Sequence, residues 1–399
     1  MKELYKRISI KDQKTIFKEA LKKEIHLSEI LQIKGLTYDN LRYNNYVNGF
    51  TRDDKLSPIE EIRIEDKSIP AISFFSGAGG MDLGFEYAGY ETIACVENTE
   101  LFCDTLSLNN PKRPVIGPPY SHGDISIKEE IAEQLEKIIG KKKPFKGVFH
   151  GGPPCQPFSI ASNQRFRKGD LNFKRKGFDD KNKGNLLFDY VWLIEHFRPT
   201  AFVIENVPGL KDIDNGAQLS EAIEILRKVG YNINEPTVLN ASYHGVPQNR
   251  TRLFVVGTLK KRKKFQYPEK TIYQSPCIDT FEMALDGLDN HETRKHTVSS
   301  ITRYVELDFG QRDQRGRVDR LNPFLPSKTV IAGGTKGGGR SHLHPYIPRT
   351  LSVRESARLQ TFPDDYIFTG STARQFTQVG NAVPPKLAYV IAKELRKVL

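Results

Sequence analysis

One cysteine of the chain has neighbours that suit it to chemistry. Cys155 lies within GGPPCQPFS, residues 151–159, after a short apolar stretch at 147–150. A cysteine between prolines lies on a rigid loop. Its thiolate is a nucleophile if a positive neighbour or a helix N-terminus lowers the pKa of the thiol. For a lone cysteine the usual alternative is an inert buried thiol, so the residue alone leaves both possibilities open.

A carboxylate and two arginines follow later apolar stretches. Glu205, in the triplet ENV, comes directly after the predicted strand 201–204. A carboxyl removed from water has a raised pKa and can donate a proton or hydrogen bond. Arg250 and Arg252 alternate in QNRTR, so both can face one site from an extended strand. The simpler alternatives are a capping or salt-bridged surface glutamate and two arginines on a solvent-exposed strand face.

A glycine-rich segment, FFSGAGGMDLGF, occupies residues 74–85. Glycines after a strand let a ligand approach the backbone closely, and the next helix offers unpaired N–H groups. Glu97 follows about 20 residues later, where an acidic side chain can hold a ribose hydroxyl pair. Many nucleotide-binding proteins share this pattern, nicotinamide-dependent oxidoreductases among them. The spacing GxGG, rather than GxGxxG, argues against an oxidoreductase.

Alternating strands and helices carry these residues. Apolar runs and helical periodicity alternate from residue 70 to about 259. This alternation is typical of a mostly parallel sheet with helices on both faces, whose ligands bind at the carboxyl ends of the strands. The sequence therefore predicts an α/β fold. The predicted strands are 71–75, 92–96, 147–150, 201–204 and 252–258, and the main predicted helices are 99–108, 127–139, 186–197, 219–229 and 385–398.

Composition limits the class of protein and its partners. The chain has 399 residues and a formal net charge of +12, which suits a polyanionic partner without proving one. No stretch is apolar enough to cross a bilayer and the N-terminus lacks a signal-peptide pattern, so we expect a cytoplasmic protein without a membrane contact. The four cysteines show no CxxC spacing, so neither a zinc site nor a disulfide framework is expected.

Together these segments resemble the DNA (cytosine-5) methyltransferase family. The resemblance covers about residues 71 to 399, and the motifs follow the order of the family. The combination of GPPCQPFS, ENV and QNRTR is the most specific part. Two conservative departures are Ser76 in the glycine loop, for the usual alanine, and Lys183 before Gly-Asn, for arginine. In order, the motifs are FFSGAGG (74–80), VEN (96–98), GDI (123–125), GGPPCQPFS (151–159), KGNLLFDY (183–190), ENV (205–207), GVPQNRTRLFVVG (245–257), RTLSVRESARLQTFPD (349–364) and GNAVPP (380–385).

The resemblance implies a Rossmann-like sheet that binds S-adenosyl-L-methionine (AdoMet) and transfers its methyl group to carbon 5 of a flipped-out cytosine in duplex DNA, without a metal. It implies that Cys155 attacks carbon 6 and that Glu205 contacts ring nitrogen 3. Arg252 is expected to bind the base, and Arg250 to bind backbone or catalytic groups.

The resemblance also assigns binding residues. Phe75 is expected near the adenine, Glu97 on the ribose and Asp124 at the adenine amino group, although Asp124 has an alternative as a helix N-cap. The other expected cofactor contacts are Gly77, Gly79, Ile125, Pro154, Leu186 and Asn381. The expected DNA contacts are Gln156, Ser159 and Gln248.

The segments around the catalytic motifs suggest the domain organisation. We expect a catalytic domain at 70–259, completed by 377–399, a loop-rich target recognition domain at 260–348 and a conserved connecting segment at 349–376. The polar loop between 160 and 183 is a candidate flap over DNA phosphates, or simply a solvated loop. The basic residues that are candidates for DNA contacts are Arg303, Arg312, Arg315, Arg317, Arg320, Lys328, Lys336 and Arg340.

Residues 1–69 lie outside the resemblance and are helical in pattern. A helical extension packed on the catalytic domain is the preferred interpretation. The alternative is a DNA-binding helix-turn-helix, because LSEILQIKGLTYDNLRYNNYV has a helix–Gly–helix look.

Three other functions compete with a DNA methyltransferase. A tRNA cytosine-5 methyltransferase shares the scaffold, but the Cys-Phe-Thr triplet usual in that branch is absent from the sequence. A catalytically dead DNA-binding protein is disfavoured by intact Cys155, Glu205 and Arg252. A nicotinamide oxidoreductase leaves the three specific motifs unexplained. The expected protein is a bacterial monomer, the modification enzyme of a restriction–modification system, with duplex DNA as partner and a functional link to a cognate endonuclease.

Overall fold

Contacts within this computed structural model divide the chain into two compact units. The sheet unit comprises Ile59–Ala241, Arg250–Lys270 and Val383–Leu399. The helix–loop unit comprises Met1–Pro58, Ser242–Asn249 and Thr271–Ala382, so it joins the N-terminal extension to the predicted target recognition and connecting segments. The residues that the structure describes are 6–45, 59–66, 68–154, 186–212, 216–259, 263–281, 287–332 and 342–399.

The sheet unit contains a mixed sheet. Its strands within the described residues are β1 Ile69–Phe74, β2 Tyr90–Val96, β3 Val115–Ile116, β4 Val148–Gly151, β5 Ala201–Asn206, β6 Tyr231–Ile233, β7 Thr237–Asn240 and β8 Thr251–Leu259. The spatial order is β3-β2-β1-β4-β5-β8-β6, and β7 also pairs with β8. The first five strands pair in parallel, whereas β8 runs antiparallel to β5, β6 and β7. The predicted α/β fold with a mostly parallel sheet is confirmed. The antiparallel strands β6 and β7 were missed because three or four residues are too few to show an alternating pattern.

The helices within the described residues are numbered in chain order. Those of the helix–loop unit are α1 Ile10–Lys23, α2 Leu27–Ile33, α8 Val298–Tyr304, α9 Val353–Leu359 and α10 Thr372–Asn381. Those of the sheet unit are α3 Gly80–Tyr87, α4 Glu100–Asn109, α5 Lys128–Ile139, α6 Leu186–Phe197, α7 Ala217–Val229 and α11 Pro385–Arg396. Among the described residues no helix has the length and apolar character needed to cross a membrane.

The register of the central strands fixes where the candidate site residues lie. Phe74 at the end of β1 pairs with Gly151 at the end of β4, and Gly151 pairs with Ile204 in β5. All six residues of β5 are buried, as expected for a strand covered on both faces. Since these strands are parallel, Phe75 and Gly152, which follow β1 and β4, share one edge of the sheet with Glu205 near the end of β5.

Residues 6–45 have a core in common with the helix–loop unit. Ile16 and Phe17 of α1 and Leu27 of α2 belong to one buried apolar cluster with Val298 and Ile301 of α8. The expectation that the extension packs on the catalytic domain is therefore corrected for residues 6–45, whose core is formed with the segment predicted to read the target. It holds for the end of the extension, where the Ile64 N–H donates to the Tyr87 carbonyl and the Tyr389 hydroxyl donates to the Ile62 carbonyl within the sheet unit. The periodicity identified the apolar face of α1, but periodicity does not say which surface will cover that face.

The helix-turn-helix alternative lacks its second helix in the part of the extension that the structure describes. After Gly35 the chain forms a short 3₁₀ turn at Tyr38–Asn40, which Thr37 and Asn40 close as a capping box. The chain then continues without helix to Asn45. The helix–loop unit also contains three short strands among its described residues: β9 Arg312–Asp313, β10 Val318–Arg320 and β11 His342–Leu343.

A prediction concerns the contact between α3, which follows the glycine loop, and α11. A Cβ on Gly84 would lie 2.4 Å from the Pro385 carbonyl oxygen and 2.5 Å from the Cβ of Ala388. Gly84→Ala should therefore force the two helices apart and lower the free energy of unfolding by about 1–3 kcal/mol, as overpacking does. Chemical denaturation measures the change. Ser107→Ala, at an exposed position in α4, is the control. Equal stability of the two variants would contradict the tight packing.

Candidate active site

The glycine loop makes a tight turn between β1 and α3. Phe75, Gly77 and Gly79 all have positive φ values, of 53°, 54° and 76°, which only glycine adopts readily. The Ser76 N–H donates to the Val96 carbonyl at 3.2 Å, so the turn is held against the end of β2. Gly79 is the N-cap of α3 and has no side chain to satisfy the first N–H groups of the helix. The N-terminus of α3 thus lies at the carboxyl edge of the sheet without a side-chain cap.

Glu97 lies directly after β2 with its carboxylate against this loop. One oxygen, Oε2, accepts from the Gly77 N–H at 2.8 Å, and the other accepts from the Thr99 N–H at 2.9 Å. Burial raises the pKa of Glu97, and these two N–H donors oppose the rise. Cβ atoms on Gly117 and Gly123 would both lie within 2.2 Å of the Glu97 carbonyl oxygen, so two glycines are needed for the chain to pass behind it.

The apolar residues expected around a cofactor border the same apolar core. Phe75, Ile125 and Leu186 all contact the main apolar core, and the ring of Phe75 lies edge-on to Tyr190 at 5.9 Å. Asp124 is half-buried and accepts from the Ser126 N–H at 2.9 Å and from its hydroxyl at 2.8 Å. It is not the N-cap of α5, which is Ile127, so the alternative that the sequence left open is wrong.

A buried ion pair lies at the end of β5. Arg252 Nε is 2.8 Å from Glu205 Oε1, and both side chains are largely withdrawn from solvent. The pair forms because β8 runs antiparallel to β5, with Asn206 opposite Leu253, which brings Arg252 to the end of β5. Burial raises the pKa of Glu205, and Arg252 followed by Arg250 opposes the rise. Burial also lowers the pKa of Arg252, and Glu205 opposes that change.

Arg250 lies two residues before its partner arginine and is almost fully buried. Its N–H donates to the Asn240 side chain at 3.2 Å, and its carbonyl accepts from the Ala241 N–H at 2.9 Å. Burial, reinforced by Arg252, lowers the pKa of its guanidinium well below the ordinary value, with Glu205 acting in the opposite direction. The two arginines and Glu205 therefore form one electrostatic group, as the sequence predicted from their spacing.

The segment that leads to Cys155 passes over this group. A Cβ on Gly152 would lie 2.6 Å from Glu205 Oε2, so a side chain there would displace the carboxylate that pairs with Arg252. The Asn206 side chain donates to the Pro153 carbonyl at 3.1 Å and fixes the next residue. Sequence reasoning missed both roles, although Asn206 lies in the same ENV triplet as Glu205. Pro154 follows as an exposed residue.

The structure does not place every predicted site residue in this group. Cys155, Gln156 and Ser159, with the candidate flap, are outside the described residues. Asn381 is exposed at the end of α10, in the helix–loop unit. Gln248 is fully buried: its amide donates to the Gln360 side chain at 2.9 Å and accepts from the Val330 N–H at 2.8 Å. A direct DNA contact by Gln248 is not supported, since both ends of its amide are already engaged.

The basic residues of the predicted recognition segment differ in their burial and their partners. Arg320 is buried, donates to the Pro345 carbonyl at 2.9 Å and stacks on the Tyr43 ring at 3.5 Å, so its expected contact with DNA is corrected to a structural role. Arg303 pairs with Asp313, and Arg312 and Lys328 pair with Asp319. Arg315 and Arg317 are exposed in the β9–β10 turn, while Lys336 and Arg340 are outside the described residues.

Comparison with known proteins decides the family. The model of the family described as C-5 cytosine-specific DNA methylase matches residues 69–397. The chain belongs to this family. It is a DNA (cytosine-5) methyltransferase, which confirms the function that the motifs implied and excludes the oxidoreductase. Residues 1–68 precede the matched region.

Relatives and solved structures agree with the assignment. The chain is 30% identical to the Type II methyltransferase M.PspPI of Psychrobacter sp., covering 85% of this chain and 82% of the relative. It is 29% identical to the Type II methyltransferase M.Sau96I of Staphylococcus aureus over 94% of this chain and 88% of the relative. A solved chain described as a DNA modification methyltransferase encoded within an Escherichia coli prophage matches with a TM-score of 0.65 and 25% identity, covering 83% of this chain and 99% of that one. A DNMT2 structure from Spodoptera frugiperda, at 17% identity, supports the fold alone.

A prediction follows from the raised pKa of Glu205. Its contribution to stability is fully present below the ordinary carboxyl pKa and is lost as pH rises through the raised value, because the folded state must then hold a buried charge. The free energy of unfolding of wild type should therefore fall relative to Glu205→Gln as pH increases. Denaturant titrations at several pH values measure this difference, with Glu91→Gln, at an exposed position on β2, as control. A difference that does not change with pH would contradict a raised pKa.

Proposed function

We propose that this methyltransferase modifies carbon 5 of a cytosine flipped out of a short specific duplex sequence, through a covalent adduct of Cys155, as the modification enzyme of a restriction–modification system. The observation that carries the mechanism is the buried Glu205–Arg252 pair beneath the segment that leads to Cys155. The Type II methyltransferases among its relatives support the role in restriction–modification.

Carbon 5 of cytosine is a weak nucleophile, so the enzyme must activate the ring. Addition of the Cys155 thiolate to carbon 6 breaks the 5,6 double bond and turns the ring into an enamine whose carbon 5 is nucleophilic. What supports Cys155 in this role is the GPPCQPFS motif and the anchoring of Gly152 and Pro153 just before it. After methylation, loss of the carbon 5 proton allows the thiolate to leave and restores the double bond. Water or hydroxide is the expected acceptor of that proton.

Glu205 stabilises the adduct because negative charge develops at ring nitrogen 3 during the addition. A protonated carboxyl donates a hydrogen bond there, and burial favours the protonated form by raising its pKa. Arg252 holds the carboxyl at 2.8 Å and limits that rise. We assign Arg252 to binding the base and Arg250 to supporting the catalytic groups, since Arg250 is almost fully buried.

The residues of the glycine loop fit AdoMet, which supplies an electrophilic methyl group when bound. The carboxylate of Glu97 uses one lone pair of each oxygen on backbone N–H groups, so each oxygen keeps capacity for a ribose hydroxyl. We assign the adenine to the apolar cluster of Phe75, Ile125 and Leu186, with Asp124 at the amino group and the positive-φ glycines at 77 and 79 against the ligand. Pro154 and Asn381 complete the proposed set. No group of three or more possible metal ligands is present among the described residues.

The substrate class has a direct test. Purified enzyme should incorporate tritiated methyl groups from AdoMet into unmethylated plasmid DNA and not into tRNA. Bisulfite sequencing of the plasmid then shows which cytosines carry the methyl group. Incorporation into tRNA alone would overturn the DNA assignment and favour the tRNA methyltransferase alternative.

A prediction tests the covalent step. Cys155→Ser should abolish methyl transfer while AdoMet affinity, measured by calorimetry, stays within about threefold of wild type, because the thiol acts on the base rather than on the cofactor. Glu205→Gln should lower kcat by about 10²- to 10⁴-fold, the usual contribution of a positioned acid.

A trapping experiment complements these variants. Duplex DNA with 5-fluorocytosine at the methylated position should form a stable covalent complex with wild type that requires AdoMet, because fluorine does not leave as a proton does. Cys155→Ser should form none and serves as the matched control. Absence of the complex with wild type on a verified target would exclude the covalent mechanism.

A further inference from the structure

The first helix of the chain carries positive charge along one exposed face. Lys11, Lys14, Lys18 and Lys22, called here the lysine stripe, are all exposed and spaced by three, four and four residues along α1. At 3.6 residues per turn this spacing places them within an arc of about 80° and along about 16 Å of helix. The opposite face of α1 is buried through Gln13, Ile16, Phe17 and Ala20.

The stripe has no internal use among the residues that the structure describes. Its four lysines form no ion pair with a described acidic side chain. Glu19, at the margin of the stripe, is already neutralised by Lys23 at 2.8 Å and Lys34 at 2.9 Å. Like charges three or four residues apart destabilise a helix, so stability of α1 does not account for the stripe.

The stripe is fixed in place within the helix–loop unit. The hydroxyl of Tyr38 donates to the His296 carbonyl and accepts from its N–H, both at 2.9 Å. Arg349 Nε donates to the Asp39 carboxylate at 2.6 Å, and the Asn44 N–H donates to the Val305 carbonyl at 2.8 Å. The shared apolar core joins α1 to the predicted target recognition segment, and these hydrogen bonds hold the chain that follows α1 and α2 to the same unit. A preorganised charged surface loses little entropy when it binds.

We propose that the lysine stripe is a second contact with duplex DNA, which binds the phosphate backbone and reads no bases. One strand of B-DNA presents a phosphate about every 3.4 Å along the axis, so the stripe spans about five phosphates. Lysine ammonium groups bind phosphates as point charges without sequence preference. The proposal rests on the proposed function in taking duplex DNA as the substrate. It gives the segment that precedes the family match a role in DNA affinity.

The test measures how DNA affinity depends on salt. A variant with all four stripe lysines changed to glutamine keeps good helix formers at each position. Binding to a fluorescein-labelled duplex of about 30 bp and arbitrary sequence is measured by anisotropy between about 50 and 200 mM NaCl. The slope of log affinity against log salt should decrease in magnitude by about 3.6, since each of the four phosphate contacts contributes about 0.9. Lys14→Gln with Lys18→Gln should lose about half as much.

A matched control separates a local contact from net charge. Lys137, Lys142, Lys143 and Lys146 are exposed around the end of α5 and the start of β4, at the amino edge of the sheet. Their change to glutamine removes the same charge and should leave the slope unchanged. Far-UV circular dichroism and thermal unfolding establish that each variant is folded, and the double variant provides the test if the quadruple one is not.

The outcomes are distinct. An unchanged slope in a folded stripe variant, or an equal decrease in the stripe and control variants, overturns the proposal. The proposed function fails separately if wild type transfers no methyl group to plasmid DNA. Because anisotropy reports binding alone, a failure of methyl transfer leaves the result for the stripe interpretable.

Discussion

The Glu205 carboxyl is kept out of water with an arginine beside it, and this constraint shapes the carboxyl edge of the sheet. A buried carboxylate without a partner is strongly destabilising, whereas one with a fixed cation is tolerated. Arg252 fulfils this role because β8 returns antiparallel beside β5 and ends the pairing at Asn206 and Leu253. The departure from a fully parallel sheet is therefore what supplies the cation. The competition between burial and Arg252 leaves the pKa of Glu205 raised, as proton or hydrogen-bond donation requires.

The same pair constrains the chain that passes over it. A Cβ on Gly152 would displace the Glu205 carboxylate, and Asn206 holds the Pro153 carbonyl from the neighbouring position of β5. The strand end thus performs two tasks with adjacent residues. Glu205 provides the proposed hydrogen bond to the base, and Asn206 fixes Pro153, two residues before Cys155. This arrangement explains why the chain has both the Gly-Pro-Pro segment and the ENV triplet. The two lie about 50 residues apart in sequence but are in contact in the fold.

How much was predictable depends on how local the determining interaction is. The bounds of β5 and α6 were predicted to within two residues, because a continuous or periodic run of apolar residues indicates a buried strand or helix directly. The joint placement of Glu205, Arg250 and Arg252 was predictable from strand alternation and from the rule that ligands bind at carboxyl strand ends. The hydrogen bond from Asn206 to Pro153 was not, since it depends on the path of a loop. Neither was the burial of Gln248 and Arg320, because it depends on residues distant in sequence such as Gln360 for Gln248 and Tyr43 for Arg320.

Arg320 illustrates why residue type alone misassigns charged residues. Its guanidinium lies between the rings of Tyr43 and Phe309, at 3.5 and 4.2 Å from their centroids, and donates to two carbonyl groups. The guanidinium of arginine is planar, so it stacks on aromatic rings, and it has five donors for buried carbonyl groups. Arginine is therefore well suited to joining segments that lack a large apolar core. Lysine has neither property, and its charge stays in water at the end of a flexible stem. Within the helix–loop unit, arginines such as Arg320 and Arg349 make the buried contacts, while the exposed basic residues of α1 are all lysines. Arginine is buried more readily than lysine because its guanidinium is less strongly hydrated than an ammonium. The lysines therefore remain in water, where they are available to bind an anionic surface outside the molecule.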